Sequence, residues 1–294
     1  MIIPAEYTFE YYPDDEALSV LTTYAPMLSK DLSNYKKHWP TKSIMDRCFE
    51  LARDLKITIP WFICPYILSN TIVQNSVADG LAVSATSKQY ACNKLSQVFA
   101  WLTHQRVYEI TKPQAEAIQK IELSENLSIE ILKWLPEAGL HLVIPSTPNL
   151  HNNELLPSEI CASLETYENP NNLFLILTIN MRNRQEDFLL QIYDDSTKKY
   201  LTIEENMRRM DKSNPDTLYA CIQILTTLIS PNLKLRSKDD NLILLPSKRD
   251  KHPALDKSFI WPRKVTRCAV GWVGATETTS TEDLREIIWH RQRN

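Results

Sequence analysis

The sequence LFLILTINMRNRQEDFLLQIY, at residues 173–193, contains two apolar runs separated by a polar turn. The first run, Leu173–Met181, and the second, Phe188–Tyr193, are rich in aliphatic and β-branched residues. Short runs of this kind, bounded by polar turn residues such as Arg182–Asp187, are typical of β-strands. We therefore predict that the two runs form an antiparallel hairpin.

Further elements are predicted on both sides of this hairpin. Leu140–Pro145 and Cys268–Val273 have the composition of strands. Thr202 followed three residues later by Glu205 is a capping-box signature, which predicts the start of a helix. Pro215 is suited to the first turn of another helix, because its missing N–H would be unpaired there. The region after residue 135 therefore combines strands with a few helices.

Helices dominate the predictions for the first 135 residues. Apolar residues spaced at three and four positions predict an amphipathic helix between Ile44 and Leu55 and a longer one over Lys88–Val107. Pro113 is placed to open a short third helix. Helices that precede strands without regular alternation favour the α+β class. We expect a mainly helical N-terminal half, followed by a small, mostly antiparallel sheet with flanking helices.

This change in pattern suggests a division of the chain. Residues 1–135 would form a mainly helical region, and residues 136–294 an α+β region. The proline-, asparagine- and serine-rich segment Ser146–Glu159 is the best candidate for a joint, although a long surface loop within one continuous domain has the same composition. Both arrangements remain open at this point.

Glycine is scarce, with four residues in a chain of 294, against a usual share of about 7%. Phosphate-binding loops need several glycines, and neither a Walker motif nor a dinucleotide fingerprint is present. The six histidines and six cysteines show no metal-ligand spacing such as His-x-x-x-His or Cys-x-x-Cys. We predict no cofactor and no metal site.

The cysteines are widely separated and lie mostly within apolar patterns, so we expect buried thiols in a reducing compartment. Met1–Tyr12 has no basic start and carries Glu6 and Glu10, unlike an export signal. Apolar stretches such as Ile59–Leu68 are interrupted by proline and are too short to cross a bilayer. A cytoplasmic protein without a membrane segment is expected.

A basic segment at residues 248–267 is the best candidate for a binding surface. Seven basic residues face two acids there, a local charge of +5 in a chain of net charge −3. Such a field attracts phosphates or acidic protein surfaces. The candidate binding residues in and just beyond this segment are Trp261, Arg263, Lys264, Arg267, Trp272 and Trp289. The alternative is that the cations are solvated and the tryptophans belong to the core.

The order of elements from about Leu95 to the C-terminus resembles that of the type V-A anti-CRISPR proteins of phages and plasmids that suppress biosynthesis of the effector nuclease. Leu135-Pro136-Glu137 before a strand, the capped helix at Thr202, and the basic, tryptophan-bearing region Pro262–Gly274 resemble parts of that family. The family's histidine-rich run is replaced here by Arg263–Cys268. The resemblance implies a regulator that recognises the emerging N-terminal peptide of its target and causes loss of the encoding mRNA.

Two functions follow as hypotheses. The first is a non-enzymatic binding protein of a mobile element, whose partner is a target polypeptide and whose basic segment contacts the ribosome, RNA or an acidic peptide. The second is a ribonuclease or RNA-binding protein that acts directly on RNA. Its catalytic candidates are Arg285 with His290, or the pair Asp194 and Asp195. For Asp194-Asp195-Ser196-Thr197, an ordinary turn is the simpler interpretation.

Overall fold

The computed structural model describes most of the chain between residues 15 and 272. The described residues are 15–35, 69–74, 85–102, 104–124, 127–137, 139–152, 154–166, 173–182, 184–210, 215–229, 233–238, 243–244 and 265–272. The helices are α1 (Asp15–Tyr24), α2 (Pro26–Tyr35), α3 (Ala85–Leu102), α4 (Lys112–Ile118), α5 (Ile203–Arg209) and α6 (Pro215–Thr227), with a 3-10 helix at Ile129–Trp134.

The strands are β1 (Arg106–Glu109), β2 (Gly139–Val143), β3 (Glu159–Thr166), β4 (Leu173–Asn180), β5 (Gln185–Gln191), β6 (Tyr193–Asp194), β7 (Lys199–Tyr200), β8 (Leu233–Ser237), β9 (Ile243–Leu244) and β10 (Thr266–Trp272). Eight of these described strands form one sheet in the order β5-β4-β3-β2-β1-β10-β8-β9. β1 is parallel to both β2 and β10, and the other neighbours are antiparallel. β6 and β7 form a separate hairpin.

The α+β class and the antiparallel β4–β5 hairpin are confirmed. The capping box at Thr202 and the helices that begin near Pro113 and at Pro215 are also confirmed. The sheet is larger than the small one predicted. The helix predicted at Ile44–Leu55 lies outside the described residues. A mainly helical N-terminal half and a division after residue 135 stay predictions, although β1 lies between β2 and β10 in the sheet.

The helix predicted to reach Val107 is wrong at its C-terminal end. α3 ends at Leu102, and the N–H groups of His104 and Gln105 both donate to the carbonyl of Trp101. Gln105 then adopts a positive φ of 49°, which turns the chain into β1. Along Arg106–Glu109 the two central residues, Val107 and Tyr108, are buried and the two outer ones are half-buried, and the strand pairs with both β2 and β10.

One face of the sheet is packed with apolar side chains against α4, α6 and the 3-10 helix. It includes Leu140 on β2, Ile160 on β3, Leu177 on β4 and Tyr108 on β1, all buried in one cluster with α6. Each strand contributes alternate residues to this cluster, so the opposite residues face α1, α2 and α3. A second cluster of buried residues lies on that side, among them Leu28, Leu95 and Val107.

The side of the sheet that faces α2 and α3 also contains buried charges, centred on Glu159 of β3. Its carboxylate accepts hydrogen bonds from the backbone N–H groups of Met27 (2.8 Å) and Leu28 (3.3 Å) in the first turn of α2. The imidazole Nε2 of His141 lies 2.9 Å away, and Asn180 donates its side-chain N–H at 3.0 Å. The carboxylate therefore links α2, β2 and β4 to β3.

A second polar group on the same side joins α3 to the sheet. The side-chain N–H of Gln97 donates to the carbonyls of Cys161 and Ile176, each at 3.2 Å, and its oxygen accepts from Thr178 at 2.8 Å. The buried ammonium of Lys94 lies 3.3 Å from the carboxylate of Asp187. These pairings compensate for the cost of burying polar groups.

The described cysteines are buried free thiols, as expected: Cys92, Cys161, Cys221 and Cys268. Burial raises the pKa of Cys92 to about 11 and that of Cys161 to about 12, so both are protonated at neutral pH. Cys48 and Cys64 lie outside the described residues. Among the helices in the described ranges, none is long and apolar enough to cross a membrane.

Replacing Gly139 by alanine should destabilise the protein strongly. A Cβ at Gly139 would come within 2.3 Å of backbone atoms of Ala100 and Trp101 in α3. Since backbone atoms cannot move aside cheaply, we expect a loss of at least about 2 kcal/mol in the free energy of unfolding. Gly271→Ala is the matched control, because a Cβ there meets no described atom within 4 Å. Urea unfolding of both variants decides the matter, and equal effects would contradict the packing of α3 on β2.

Glu159→Gln should also destabilise the protein, and by an amount that depends on pH. Burial alone would raise the pKa of Glu159, but the hydrogen bond and charge of His141 and the N–H of Met27 lower it below its ordinary value. The stabilisation is therefore complete at pH 7, and it is lost as the pH falls below about 4.3 and through the lower folded pKa. We expect a loss of about 2–4 kcal/mol at pH 7.

Chemical unfolding of Glu159→Gln at several pH values should show this difference from the unchanged chain shrinking in the acid range. Glu116→Gln is the control, because the side chain of Glu116 is 44% exposed and lies 3.9 Å from Lys112, and its substitution should cost less than about 0.5 kcal/mol. A constant difference between pH 7 and pH 3 would show that the carboxylate charge of Glu159 is not what anchors α2.

Candidate binding surface

The described part of the basic segment, residues 265–267, leads into β10. This strand lies inside the sheet, between β1 and β8. Val270 of β10 is paired with Leu235 of β8, and both belong to the apolar cluster under α6. The neighbouring pairs, Ala269 with Arg236 and Gly271 with Lys234, must therefore point to the opposite face. This places cations of β8 beside small residues of β10.

We define the basic sheet face as Lys234, Arg236, Lys238 and Arg267, which surround Ala269 and Gly271. Lys234, Arg236 and Lys238 are exposed, and Arg267 is half-buried. A Cβ added at Gly271 would meet no described atom within 4 Å, so no described residue covers the surface between the cations. On the basic sheet face, small side chains are thus bordered by long cationic ones.

Arg267 is held firmly at one border of this face. Its Nε lies 2.6 Å from Oε1 of Glu109, and one terminal nitrogen lies 3.2 Å from Oε2. On its other side, the guanidinium carbon is 4.6 Å from the centre of the Tyr24 ring at the end of α1. A planar guanidinium can make the two-pronged carboxylate contact and the ring contact together. Arg267 therefore connects α1, β1 and β10, and its side chain is still 35% exposed.

Glu109 also binds Lys238, so one carboxylate serves two cations. The ammonium of Lys238 contacts Oε2 of Glu109, and its backbone N–H donates to the carbonyl of Arg267 at 2.9 Å. Although burial raises the pKa of Glu109, the hydrogen bonds from Arg267 and Lys238 lower it below its ordinary value. Glu109 is thus ionised at neutral pH.

The charges of the basic sheet face are only partly neutralised. Lys234 and Arg236 make no ion pair within the described ranges. Four cations against the single carboxylate of Glu109 leave a net positive surface that suits a polyanion or an acidic protein segment.

Of the binding residues predicted from the sequence, the structure describes two. Arg267 belongs to the basic sheet face, and it has a structural partner in Glu109 as well as an exposed part. The backbone of Trp272 pairs with Leu233 at the end of β10. Trp261, Arg263, Lys264 and Trp289 lie outside the described residues, so the tryptophan contribution to binding stays a prediction.

Lys234 and Arg236 are not among the binding residues predicted from the sequence. The available signal was the alternation of Leu233-Lys234-Leu235-Arg236, which is the period of a half-buried strand. Four residues with two cations resemble a solvated loop as closely as a short strand. Their pairing with β10 is what turns them into part of a surface.

Asp194 and Asp195, the catalytic candidates of the second hypothesis, form a turn in the structure. Asp194 accepts hydrogen bonds from the hydroxyl and the backbone N–H of Ser196, at 2.6 and 3.0 Å, which lower its pKa to about 2. Asp195 pairs with Lys198 at 2.6 Å. Within the described ranges, no group of three or more histidine, cysteine, aspartate and glutamate side chains could hold a metal ion.

The described histidines take part in packing. His141 is buried against Glu159, and His151 contacts Gln223 at 3.0 Å and meets the ring of Tyr219 edge-on at 5.3 Å. Burial lowers the pKa of His104, so that imidazole is neutral at pH 7. Arg285 and His290 lie outside the described residues, and their proposed pairing stays untested.

No established protein family matches this sequence, and no curated protein matches it either. A solved structure with a similar fold is the crystal structure of AcrVA2, which superimposes with a TM-score of 0.54. The match covers 84% of this chain and 83% of that chain, at 14% sequence identity. At this identity the likeness concerns the fold alone, and at that level the resemblance inferred from the sequence is confirmed.

The basic sheet face should dominate retention on a polyanion. We expect the double variant Lys234→Glu, Arg236→Glu to elute from heparin at clearly lower salt than the unchanged chain, because two attractive charges become repulsive. The matched control is Lys112→Glu with Arg208→Glu, which reverses two exposed cations elsewhere in the described structure. Equal elution of the two double variants would show that the positive charge acts only as a total and not as a surface.

Proposed function

We propose that this chain is a non-enzymatic, anti-CRISPR-like binding protein of a mobile genetic element, which recognises a target polypeptide as it emerges from the ribosome. Binding would lower expression of the target through loss of its mRNA. The observation that carries the proposal is the likeness of fold to AcrVA2 over most of both chains. The sequence features that resemble the type V-A anti-CRISPR family, from Leu95 onward, support the same conclusion.

The basic sheet face supplies a physical reason for action at the ribosome. A chain that emerges from the ribosome is surrounded by ribosomal RNA, whose phosphates attract lysine and arginine side chains. Lys234 and Arg236 are exposed and have no ion pair within the described ranges, so they are available for such contacts. A regulator with one site for polypeptide and another for phosphate would be retained where its target first appears.

The ionisable groups described in the structure support a binding role over a catalytic one. Glu159 anchors α2, Glu109 clamps Arg267, and Asp194 closes a turn. Each of these carboxylates is engaged in holding the fold. In this proposal, therefore, the chain recognises its target, and the loss of mRNA is carried out by another factor.

A second candidate is an RNA-binding protein that recognises the mRNA itself. The basic sheet face favours it, because an exposed cationic surface suits a sugar–phosphate backbone as well as a ribosome. The two candidates differ in what carries the specificity. In the first, it is the amino-acid sequence of the target, and in the second it is the nucleotide sequence.

Recoding of a depleted mRNA separates these candidates. In cells that carry the native mobile element, sequencing with and without this chain identifies a transcript whose level falls. We expect synonymous recoding of its first codons, which changes the RNA and keeps the peptide, to leave the depletion intact. A pair of compensating frameshifts, which keeps the RNA nearly unchanged and replaces the peptide, should abolish it.

The opposite pattern, with depletion lost on recoding and kept after the frameshifts, would replace the proposed function by direct RNA recognition. The heparin-defective variant Lys234→Glu, Arg236→Glu provides the link to the structure. It should deplete the same transcript less, whereas the control variant Lys112→Glu, Arg208→Glu should act as the unchanged chain does.

A further inference from the structure

The edge strand β5 pairs with β4 on one side, and on its other side it pairs with no described strand. β5 stands at one end of the order of described strands, and β9 at the other end has two residues. β5 has seven residues, Gln185–Gln191, and it is paired along its whole length with β4. Its other side is therefore the longest edge that the described sheet offers.

The backbone hydrogen bonds at the two ends of β5 fix which of its residues direct their backbone groups away from β4. Ile192, just beyond the strand, donates its N–H to Leu173 of β4 at 2.8 Å, and Arg184, just before it, exchanges hydrogen bonds with Met181. Since backbone groups alternate along a strand, the even-numbered residues face β4. Gln185, Asp187, Leu189 and Gln191 then direct their N–H and C=O groups outward.

Gln191 shows what kind of partner can pair with these outward N–H and C=O groups. Its N–H donates to Oδ1 of Asn206 at 2.8 Å, and its carbonyl accepts from Nδ2 of the same side chain at 3.0 Å. Asn206 is buried on α5 and also donates to the carbonyl of Thr202 at 3.1 Å. Its amide pairs with Gln191 as the backbone of a neighbouring strand would. At Asp187 and Leu189, the outward backbone groups have no such partner within the described ranges.

Charged side chains usually protect a sheet edge from pairing with another strand, but the two acidic side chains of β5 are engaged in ion pairs within the protein. The carboxylate of Asp187 lies 3.3 Å from the ammonium of Lys94 and 2.5 Å from the hydroxyl oxygen of Thr178, whose one hydrogen it shares with Gln97. Glu186 is paired with Arg184. Leu189 is 43% exposed, and Tyr90 of α3, whose pKa is raised by partial burial and by Asp187, is 46% exposed nearby. An apolar contact is available beside this edge, which pairs with no strand in the described ranges.

We infer that an extended segment of the target polypeptide adds to β5 as a further antiparallel or parallel strand, paired at Asp187 and Leu189. This rests on the proposed function, since it names the place and mode of recognition of the same polypeptide. Backbone pairing supplies affinity, and side chains that alternate along the added strand supply selectivity. A chain that has just emerged from the ribosome is unfolded, so its backbone groups are free to pair.

The composition of β5 indicates the kind of segment that fits. The strand contains Glu186 and Asp187 and no basic residue. Each carboxylate has one cation partner and can accept a hydrogen bond from a second, so the strand favours a partner with lysine or arginine. Leu189 favours an aliphatic side chain beside it. A segment of alternating aliphatic and basic residues meets both conditions.

The test uses the full chain and a short synthetic peptide of alternating valine and lysine. Its control is the same peptide N-methylated at alternate residues, which keeps charge and side chains and removes the pairing N–H groups. Fluorescence anisotropy should show binding of the first peptide and at least ~10-fold weaker binding of the second. Binding of both peptides alike, or of neither, overturns the inference.

Two substitutions at Leu189 test whether the peptide binds at β5. Leu189→Lys adds a like charge at the site and should weaken binding of the peptide, whereas Val20→Lys makes the same change at a residue of α1 that is 53% exposed, and should not. Leu189→Pro removes one outward N–H that β4 does not use, and thermal unfolding verifies that both variants remain folded. Unchanged binding by the folded Leu189 variants overturns the inference.

Amide hydrogen exchange gives a readout at single residues. In the free protein, Phe188 and Leu190 should be protected by β4, while Asp187 and Leu189 exchange fast, and the peptide should slow Asp187 and Leu189 by at least ~10-fold. Protection of Asp187 and Leu189 already in the free protein overturns the inference. The recoding experiment does not involve this peptide, so a failure there with peptide binding intact counts against the proposed function alone.

Discussion

The structure depends on the buried carboxylate of Glu159. An ionised carboxylate removed from water must be compensated by hydrogen bonds, or the cost of its burial is several kcal/mol. Glu159 obtains its donors from Met27 and Leu28 on α2, from His141 on β2 and from Asn180 on β4. The N-terminus of α2 also places the positive end of its helix dipole at this charge.

The anchor at Glu159 is connected to the basic sheet face through the turn between α1 and α2. Tyr24 is the last residue of α1, and one residue separates it from Pro26, the first residue of α2. Fixing the start of α2 therefore fixes Tyr24, whose ring covers the guanidinium of Arg267. Arg267 in turn holds Glu109 and, through it, Lys238. Parts of the chain far apart in sequence thus set the position of the cations on β10 and β8.

The sequence predicts those elements whose signal is local. The β4–β5 hairpin, the capping box at Thr202 and the helix that begins at Pro215 each depend on neighbouring residues, and the structure confirms them. β3 escaped prediction because Glu159 and Glu165 stand at positions that a strand normally fills with apolar residues. Their partners, His141 for the first and Ser96 for the second, are distant in sequence.

Dependence on partners that are distant in sequence also limits how much of the basic sheet face can be predicted. The cluster of basic residues identified Arg267, since charge density is visible without a fold. Its pairing with Glu109 and its proximity to Arg236 across β10 and β8 come from long-range strand order. Parallel pairing of β1 with β10 joins residues more than 150 positions apart, and no local pattern of the sequence indicates that register.

The sheet also sets the geometry of the proposed mechanism. β10 is the fifth strand beyond β5 in the sheet order, and β8 is the sixth. With about 4.8 Å between neighbouring strands, the outer edge of β5 and the basic sheet face are roughly 25–30 Å apart. An extended polypeptide covers that distance in about eight residues, at roughly 3.3 Å for each. A chain paired with β5 can therefore still be attached to a ribosome whose RNA contacts Lys234 and Arg236, and each contact raises the effective concentration of the other.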